Sequence, residues 1–242
     1  MLANKDRLIK FIETYLGNCK TCNEFTKHYY CKLIARRKYI KQDDINYDKV
    51  SHDDMIWQGI LNFGDDNIIQ QIEIILETRT QQPDYSKVFY ISNNHIKNNC
   101  FEKFRTTIAE NPMASKSLHR KITNLLKINQ CKSIILIDLD KDCISEESYT
   151  QLYNEIITKY LSGLCIIIKT IGGHHIHIDR GLIEIDKKDI DILDSKYRTP
   201  NGFDNGIEIK GTHDRVCSLY NNHCSPAIGI TQGGVEVILI DY

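Results

Sequence analysis

The feature that most constrains this chain is a set of short apolar runs in its second half, each bounded by glycine or by charged residues. They are Ser133–Asp140 (SIILIDLD), Gly163–Thr170 (GLCIIIKT), Gly173–Asp179 (GHHIHID) and Asn205–Lys210 (NGIEIK). Runs this short and this rich in isoleucine read as strands rather than helices. The connection Ile171-Gly172-Gly173 leaves room only for a tight turn between the second and third. Helical patterns over Ser145–Leu161 and Asp186–Leu193 fill the other intervals. In order this is β-α-β-β-α-β, a ferredoxin-like or RNA-recognition-like unit. Arg215–Tyr220 and Val235–Ile240 are expected to extend its sheet.

The first half is less regular. Residues 3–16 form an amphipathic pattern, His28–Ile40 (HYYCKLIARRKYI) a strand, Lys41–Asp54 a polar loop and Asn67–Thr78 a helix. Lys87–Ser92 reads as a strand, and Asn98 to about Ile128 as one long basic helical region. The expected fold class is therefore α+β in a single domain. An α/β N-terminal lobe over residues 1–130 would be followed by the ferredoxin/RRM-like lobe over residues 131–242.

A chain of 242 residues with 41% hydrophobic and 26% charged residues can bury a core without a partner and carries no low-complexity tract. Its opening, MLANKDRLIKFIETYL, is charged throughout, which fits neither a signal peptide nor a membrane span, so a cytoplasmic location is expected. Nine cysteines, an odd number without an export signal, suggest reduced thiols rather than a disulfide framework. A net charge of −1 supplies no global attraction to nucleic acid, so such contact must come from local patches. The strand end Arg36, Arg37 and Lys38 and the stretch Lys116–Lys132 are the two basic candidates, and either could equally be a solvated face.

The chemistry lies in the second-half strands. Alternate residues of a strand share a face, so Asp138 and Asp140 point the same way. At ~4 Å and an effective dielectric of about 20 such charges repel by roughly 4 kcal/mol, and a divalent cation between them relieves this. A solvated strand end accommodates the same pair. In the next strand His175, His177 and Asp179 share a face, and Gly172 and Gly173 at its entrance allow close backbone approach to a phosphate. In the last, Glu208 and Lys210 share a face opposite Ile207 and Ile209.

Taken together, IILIDLD, TIGGHHIHI and GIEIKG resemble the three motifs of the archaeo-eukaryotic primase superfamily: hhhDxD, a glycine-rich SGGxHhh strand and a later h(D/E)h strand. The resemblance covers residues from about 133 to 220, with Ile171 in place of the common serine and Glu208 in place of the commoner aspartate. It implies a primase-polymerase nucleotidyltransferase that uses two Mg²⁺ or Mn²⁺ ions held by Asp138, Asp140 and Glu208. His175, with His177, Lys210 and the Gly172-Gly173 turn, would bind the incoming nucleotide, and Arg36, Arg37 and Lys38 the template. The implied partners are nucleoside triphosphates and a single-stranded DNA or RNA template, with a helicase or other replication or defence proteins supplied in trans.

Other readings of the same residues remain. His175-x-His177-x-Asp179 matches part of an HxHxDH hydrolase signature, with Arg180 where its last histidine belongs and only His213 and His223 following. Cys19, Cys22, His28 and Cys31 have the content of a zinc knuckle, but His28 and Cys31 fall in an expected strand, so zinc is not expected. A primase-like fold that binds nucleic acid or nucleotide without catalysis is the third.

Overall fold

The computed structural model describes residues 1–16, 27–50, 53–78, 82–110, 116–131, 133–141, 144–197, 206–210 and 224–240. In chain order the elements are α1 (Lys5–Phe11), β1 (His28–Arg36), β2 (Asp53–Asn62), α2 (Ile68–Leu76), β3 (Lys87–Ser92), α3 (Phe101–Ala109) and α4 (Lys116–Asn129). Then come β4 (Ile134–Asp140), α5 (Glu146–Tyr160), β5 (Leu164–Lys169), β6 (Gly173–Asp179), α6 (Lys187–Tyr197) and β7 (Ile207–Lys210). Four short strands close the chain: β8 (Cys224–Pro226), β9 (Thr231–Gln232), β10 (Val235–Glu236) and β11 (Ile238–Ile240). No helix among the described residues is long and apolar enough to cross a membrane. The chain divides into two compact units, Met1–Cys131 with Val216–Val237, and Lys132–Arg215 with Ile238–Tyr242.

The first unit is built on a four-stranded sheet in the order β2-β1-β3-β8, antiparallel at every pairing. It is thus α+β, without the parallel strands that an α/β lobe implies. Strand β2 begins at the end of the expected polar loop and carries no clear strand pattern in its sequence. Its alternation is blurred because the ladder with β1 slips between Leu33 and Ile34, so no clean period of two runs through it. The expected basic helix is two helices, since α3 ends at Ala109 and α4 begins at Lys116 with Pro112 in the interval. Proline lacks the backbone donor and restricts the residue before it, so it disfavours the continuation of a helix. Leu118, Ile122 and Leu126, at helical spacing on α4, are buried with Phe104 of α3 and Tyr30 of β1.

The second unit is the expected β-α-β-β-α-β series. Its sheet has the order β11-β5-β6-β4-β7, with every neighbour antiparallel. β4 is therefore central, with β6 on one side and β7 on the other. Odd-numbered residues of β4 (Ile135, Ile137, Leu139) and even-numbered residues of β6 (Ile176, Ile178) point to one face. There they pack with Leu152 and Ile156 of α5 and with Ile190 and Leu193 of α6. Each such buried side chain contributes about 1.5–3 kcal/mol, which locks the parity of both strands and with it the direction of every residue between. Ser145 caps α5, its hydroxyl accepting the Ser148 N–H.

The tail behaves differently from the reading that sent all of Val235–Ile240 into this sheet. Val235–Glu236 pairs with Thr231–Gln232 as a hairpin in the first unit, and only Ile238–Ile240 joins the second, along β5. Gly233 and Gly234 both take positive φ in the hairpin turn, which fixes where β10 begins. The Arg215–Tyr220 strand lies outside the described residues.

Candidate carboxylate site

Strand parity brings the candidate carboxylates together. Asp138 pairs directly with Glu208 on β7 and with His175 on β6, so the three form one row across three adjacent strands. Directly paired residues point to the same face with Cβ atoms about 5 Å apart. Asp140 lies on that face one row further along, opposite Gly173. The face is the one turned away from α5 and α6. Glu208 is exposed and Asp140 half-buried. The Asp138 side chain retains 15% of its exposure and His175 10%, with His175 Nε2 3.3 Å from Asp138 Oδ1. Hence one carboxylate oxygen of Asp138 already has an imidazole nitrogen beside it.

The glycine turn is fitted to this arrangement. A Cβ on Gly173 would lie 1.8 Å from the Leu139 carbonyl oxygen, so only glycine lets β6 run this close to β4. A Cβ on Gly172 would lie 3.0 Å from Asp140 Oδ1, so its absence leaves the carboxylate room. The turn is closed by the Thr170 N–H donating to the Gly173 carbonyl (2.9 Å) and by the Gly173 N–H donating to Thr170 Oγ1 (3.1 Å). It is tied to β4 by the Lys141 N–H, which donates to the Gly172 carbonyl at 2.8 Å. On the other side the Asp140 N–H donates to the Gly206 carbonyl at 2.9 Å, just before β7 begins.

His177 sits one row below His175, opposite Leu136, with 1% of its surface exposed. Burial, reinforced by His175, lowers its pKa to about 3, so it is a neutral imidazole at ordinary pH. Lys210 occupies the position opposite Leu136 on β7. Asp179 is a further row away, opposite Ile134, and accepts the Gly181 N–H at 2.8 Å. At ~3.3 Å per residue the extended strand spreads His175, His177 and Asp179 over roughly 13 Å, too far for one metal ion to hold all three.

The N-terminal candidates separate. Arg36 Nη1 donates to Tyr90 Oη at 3.0 Å, and its guanidinium lies 5.9 Å from the Tyr39 ring centre. Lys38 approaches the same ring at 5.4 Å. Arg37 turns elsewhere: its Nε donates to the Val50 carbonyl at 2.7 Å and its guanidinium stacks on Tyr47 at 4.9 Å. Arg37 therefore holds the loop before β2. Arg120 and Lys121 of α4 are exposed. Of the zinc-knuckle residues, Cys19 and Cys22 lie outside the described residues, as do His213 and His223. His28 stacks on Phe101, and Cys31, three positions along the same strand, points to the opposite face and is fully buried.

The site fits hard divalent cations in its donor types and strand register: three carboxylates on one face, two of them directly paired, beside a turn stripped of Cβ atoms. Among the described residues no three His, Cys, Asp or Glu side chains are already drawn together as a metal cage. Two residues of this neighbourhood carry no motif signal. Tyr149 of α5 and His174 of β6 meet on the helix side of the sheet, with Tyr149 Oη 2.6 Å from His174 Nδ1. His174 sits inside the GGHH string, yet odd spacing from Gly173 sends it to the other face, and Tyr149 is one of several tyrosines in α5.

No protein-family model matches this chain, and neither the curated proteins nor the solved structures contain a match to it.

Proposed function

We propose that this protein is a nucleotidyltransferase of the archaeo-eukaryotic primase type, extending a nucleic-acid strand on a single-stranded template from nucleoside triphosphates. The observation that carries this reading is the row Glu208–Asp138–His175 across β7, β4 and β6, with Asp140 one row along on the same face. Three carboxylates on one face beside an imidazole and a glycine turn repel one another when drawn together, and a divalent cation offsets that repulsion.

In this reading Asp138, Asp140 and Glu208 hold a pair of Mg²⁺ or Mn²⁺ ions, which when bound would stabilise the attacking and leaving oxygens of an in-line displacement at the α-phosphate. The chain's own groups orient the reactants. The turn at Gly172 and Gly173 lets the triphosphate approach the backbone, and His175 moves from Asp138 to a phosphate oxygen. Lys210 adds positive charge two positions beyond Glu208, and His177, neutral and buried, supports the β6 face. Arg36, paired with Tyr90 and beside Tyr39, contacts the template backbone together with Lys38. Arg37, the third residue of this basic set, also donates to the Val50 carbonyl.

The test is nucleotide incorporation on primed and unprimed single-stranded templates with Mg²⁺ or Mn²⁺. Wild-type protein should incorporate nucleotide, and Asp138→Ala, Asp140→Ala and Glu208→Ala should each fall to background with an unchanged circular dichroism spectrum. A wild-type protein that stays inert across ribo- and deoxyribonucleotides, templates and both metals overturns the reading.

A further inference from the structure

The helix side of the sheet, directly behind the carboxylates, holds a polar contact that the reaction as described does not use. Gly173 presses on the Leu139 carbonyl, and the nearest side-chain atom at that point is Tyr149 Oη, 3.0 Å from where a Gly173 Cβ would stand. The same oxygen lies 2.6 Å from His174 Nδ1 and 3.5 Å from the Leu139 carbonyl oxygen. Leu139 separates Asp138 from Asp140, and His174 separates Gly173 from His175. One hydroxyl of α5 therefore ties together, from behind, the two backbone segments that present the carboxylates and the glycine–histidine turn.

The surroundings keep this contact in one protonation state. Burial, then the negative charges of Asp140 and Asp138, push the Tyr149 phenol up, so it remains a donor. Burial and the cations Lys141 and Lys169 lower His174 to about 4, so its ring stays neutral with a single N–H; placed on Nδ1, that N–H donates to Tyr149 Oη and leaves the phenol proton for the Leu139 carbonyl oxygen. The ring of His174 is packed between Tyr149, at 5.7 Å, and Tyr153, at 4.7 Å, which fixes its orientation. Lys141, the residue after Asp140, lies over the Tyr149 ring at 5.5 Å.

We propose that Tyr149 and His174 are positioning residues for the carboxylate site: the Tyr149 hydroxyl sets the spacing of β4 against the glycine turn and so the angle at which Asp138 and Asp140 meet a divalent ion. Neither residue touches the ion. This inference rests on the metal-binding reading above, and its test separates the two.

The probe is Mn²⁺ alone, titrated into the full chain and followed by electron paramagnetic resonance. Wild-type protein should bind Mn²⁺ and Asp138→Ala should abolish that binding. Tyr149→Phe keeps the ring and loses only the hydroxyl. It should bind Mn²⁺ roughly tenfold more weakly, as expected for an outer-shell partner, with a broadened bound-ion spectrum that a purely structural residue would not alter. Tyr153→Phe, which keeps the packing on His174, should match wild type in both readouts. If Tyr149→Phe does not fold, His174→Phe keeps the ring stack, removes Nδ1 and should show the same loss. Wild-type affinity and spectrum in a folded Tyr149→Phe or His174→Phe variant overturn the positioning role while leaving the metal site standing. Binding of Mn²⁺ that survives Asp138→Ala overturns the metal site and the positioning role together.

Discussion

At the scale of single residues, parity and the missing Cβ decide the site. Gly173 has no substitute, because a methyl group there meets backbone rather than a flexible side chain. Gly173→Ala should lower unfolding free energy by about 3 kcal/mol in a denaturant titration, near the upper end for overpacking, and remove incorporation activity with it. Gly172→Ala meets only the Asp140 carboxylate oxygen at 3.0 Å, which a rotation of that side chain can relieve. It should fold with a loss below about 1 kcal/mol and act on metal affinity instead. The buried histidines set a pH dependence. The folded pKa of His177, about 3, lies below the unfolded value of about 6.5, so between these the unfolded chain binds the extra proton. Its contribution is complete above pH about 6.5 and is lost as pH falls toward about 3, at up to about 1.4 kcal/mol per pH unit. His174, lowered to about 4, adds the same sign over a narrower window. Thermal melts from pH 7 to pH 4 should show a falling midpoint, and His177→Asn should flatten the fall.

At the scale of elements, the strands of the second unit were legible because their faces differ so strongly. The run IILIDLD alternates only in its last half, yet Ile137 and Leu139 on one side and Asp138 and Asp140 on the other leave one possible register. Helix α5 was legible from its helical pattern over Ser145–Leu161. Ser145→Ala should cost about 1 kcal/mol by loss of the bond to the Ser148 N–H, measured by urea unfolding. Strand β2 and the break between α3 and α4 were not read. In β2 a ladder irregularity mixes the two faces, and in the helical region basic residues lie on both sides of Pro112. The basic triplet at the end of β1 shows a related limit. Charge marks Arg36, Arg37 and Lys38 alike, whereas the Tyr90 hydroxyl and the Val50 carbonyl assign them different work.

At the scale of the whole molecule, the chain passes from the first unit to the second after Cys131, back after Arg215 and across again after Val237. The last crossing gives the second unit its edge strand, Ile238–Ile240, which covers β5. Ile240 packs against the core of that unit, so Ile240→Asp should destabilise by about 2–3 kcal/mol and raise aggregation, seen by light scattering on heating. A reading by local pattern sent the whole of Val235–Ile240 to one sheet, because nothing in those residues records which strand each will meet.

The sequence by itself determined the strands β4 to β7 and the helix α5 of the second unit, the turn at Gly172-Gly173, and the shared face of Asp138 and Asp140. Those follow from periods of two and of about 3.6 and from the conformational freedom of glycine, all local properties. Only the tertiary structure decided that β4 lies between β6 and β7. That placement makes Asp138 the neighbour of both His175 and Glu208 and sets the Tyr149 hydroxyl behind them. Strand order is chosen by how α5 and α6 bury their apolar faces over the sheet, a sum over many distant contacts that no stretch of sequence carries alone.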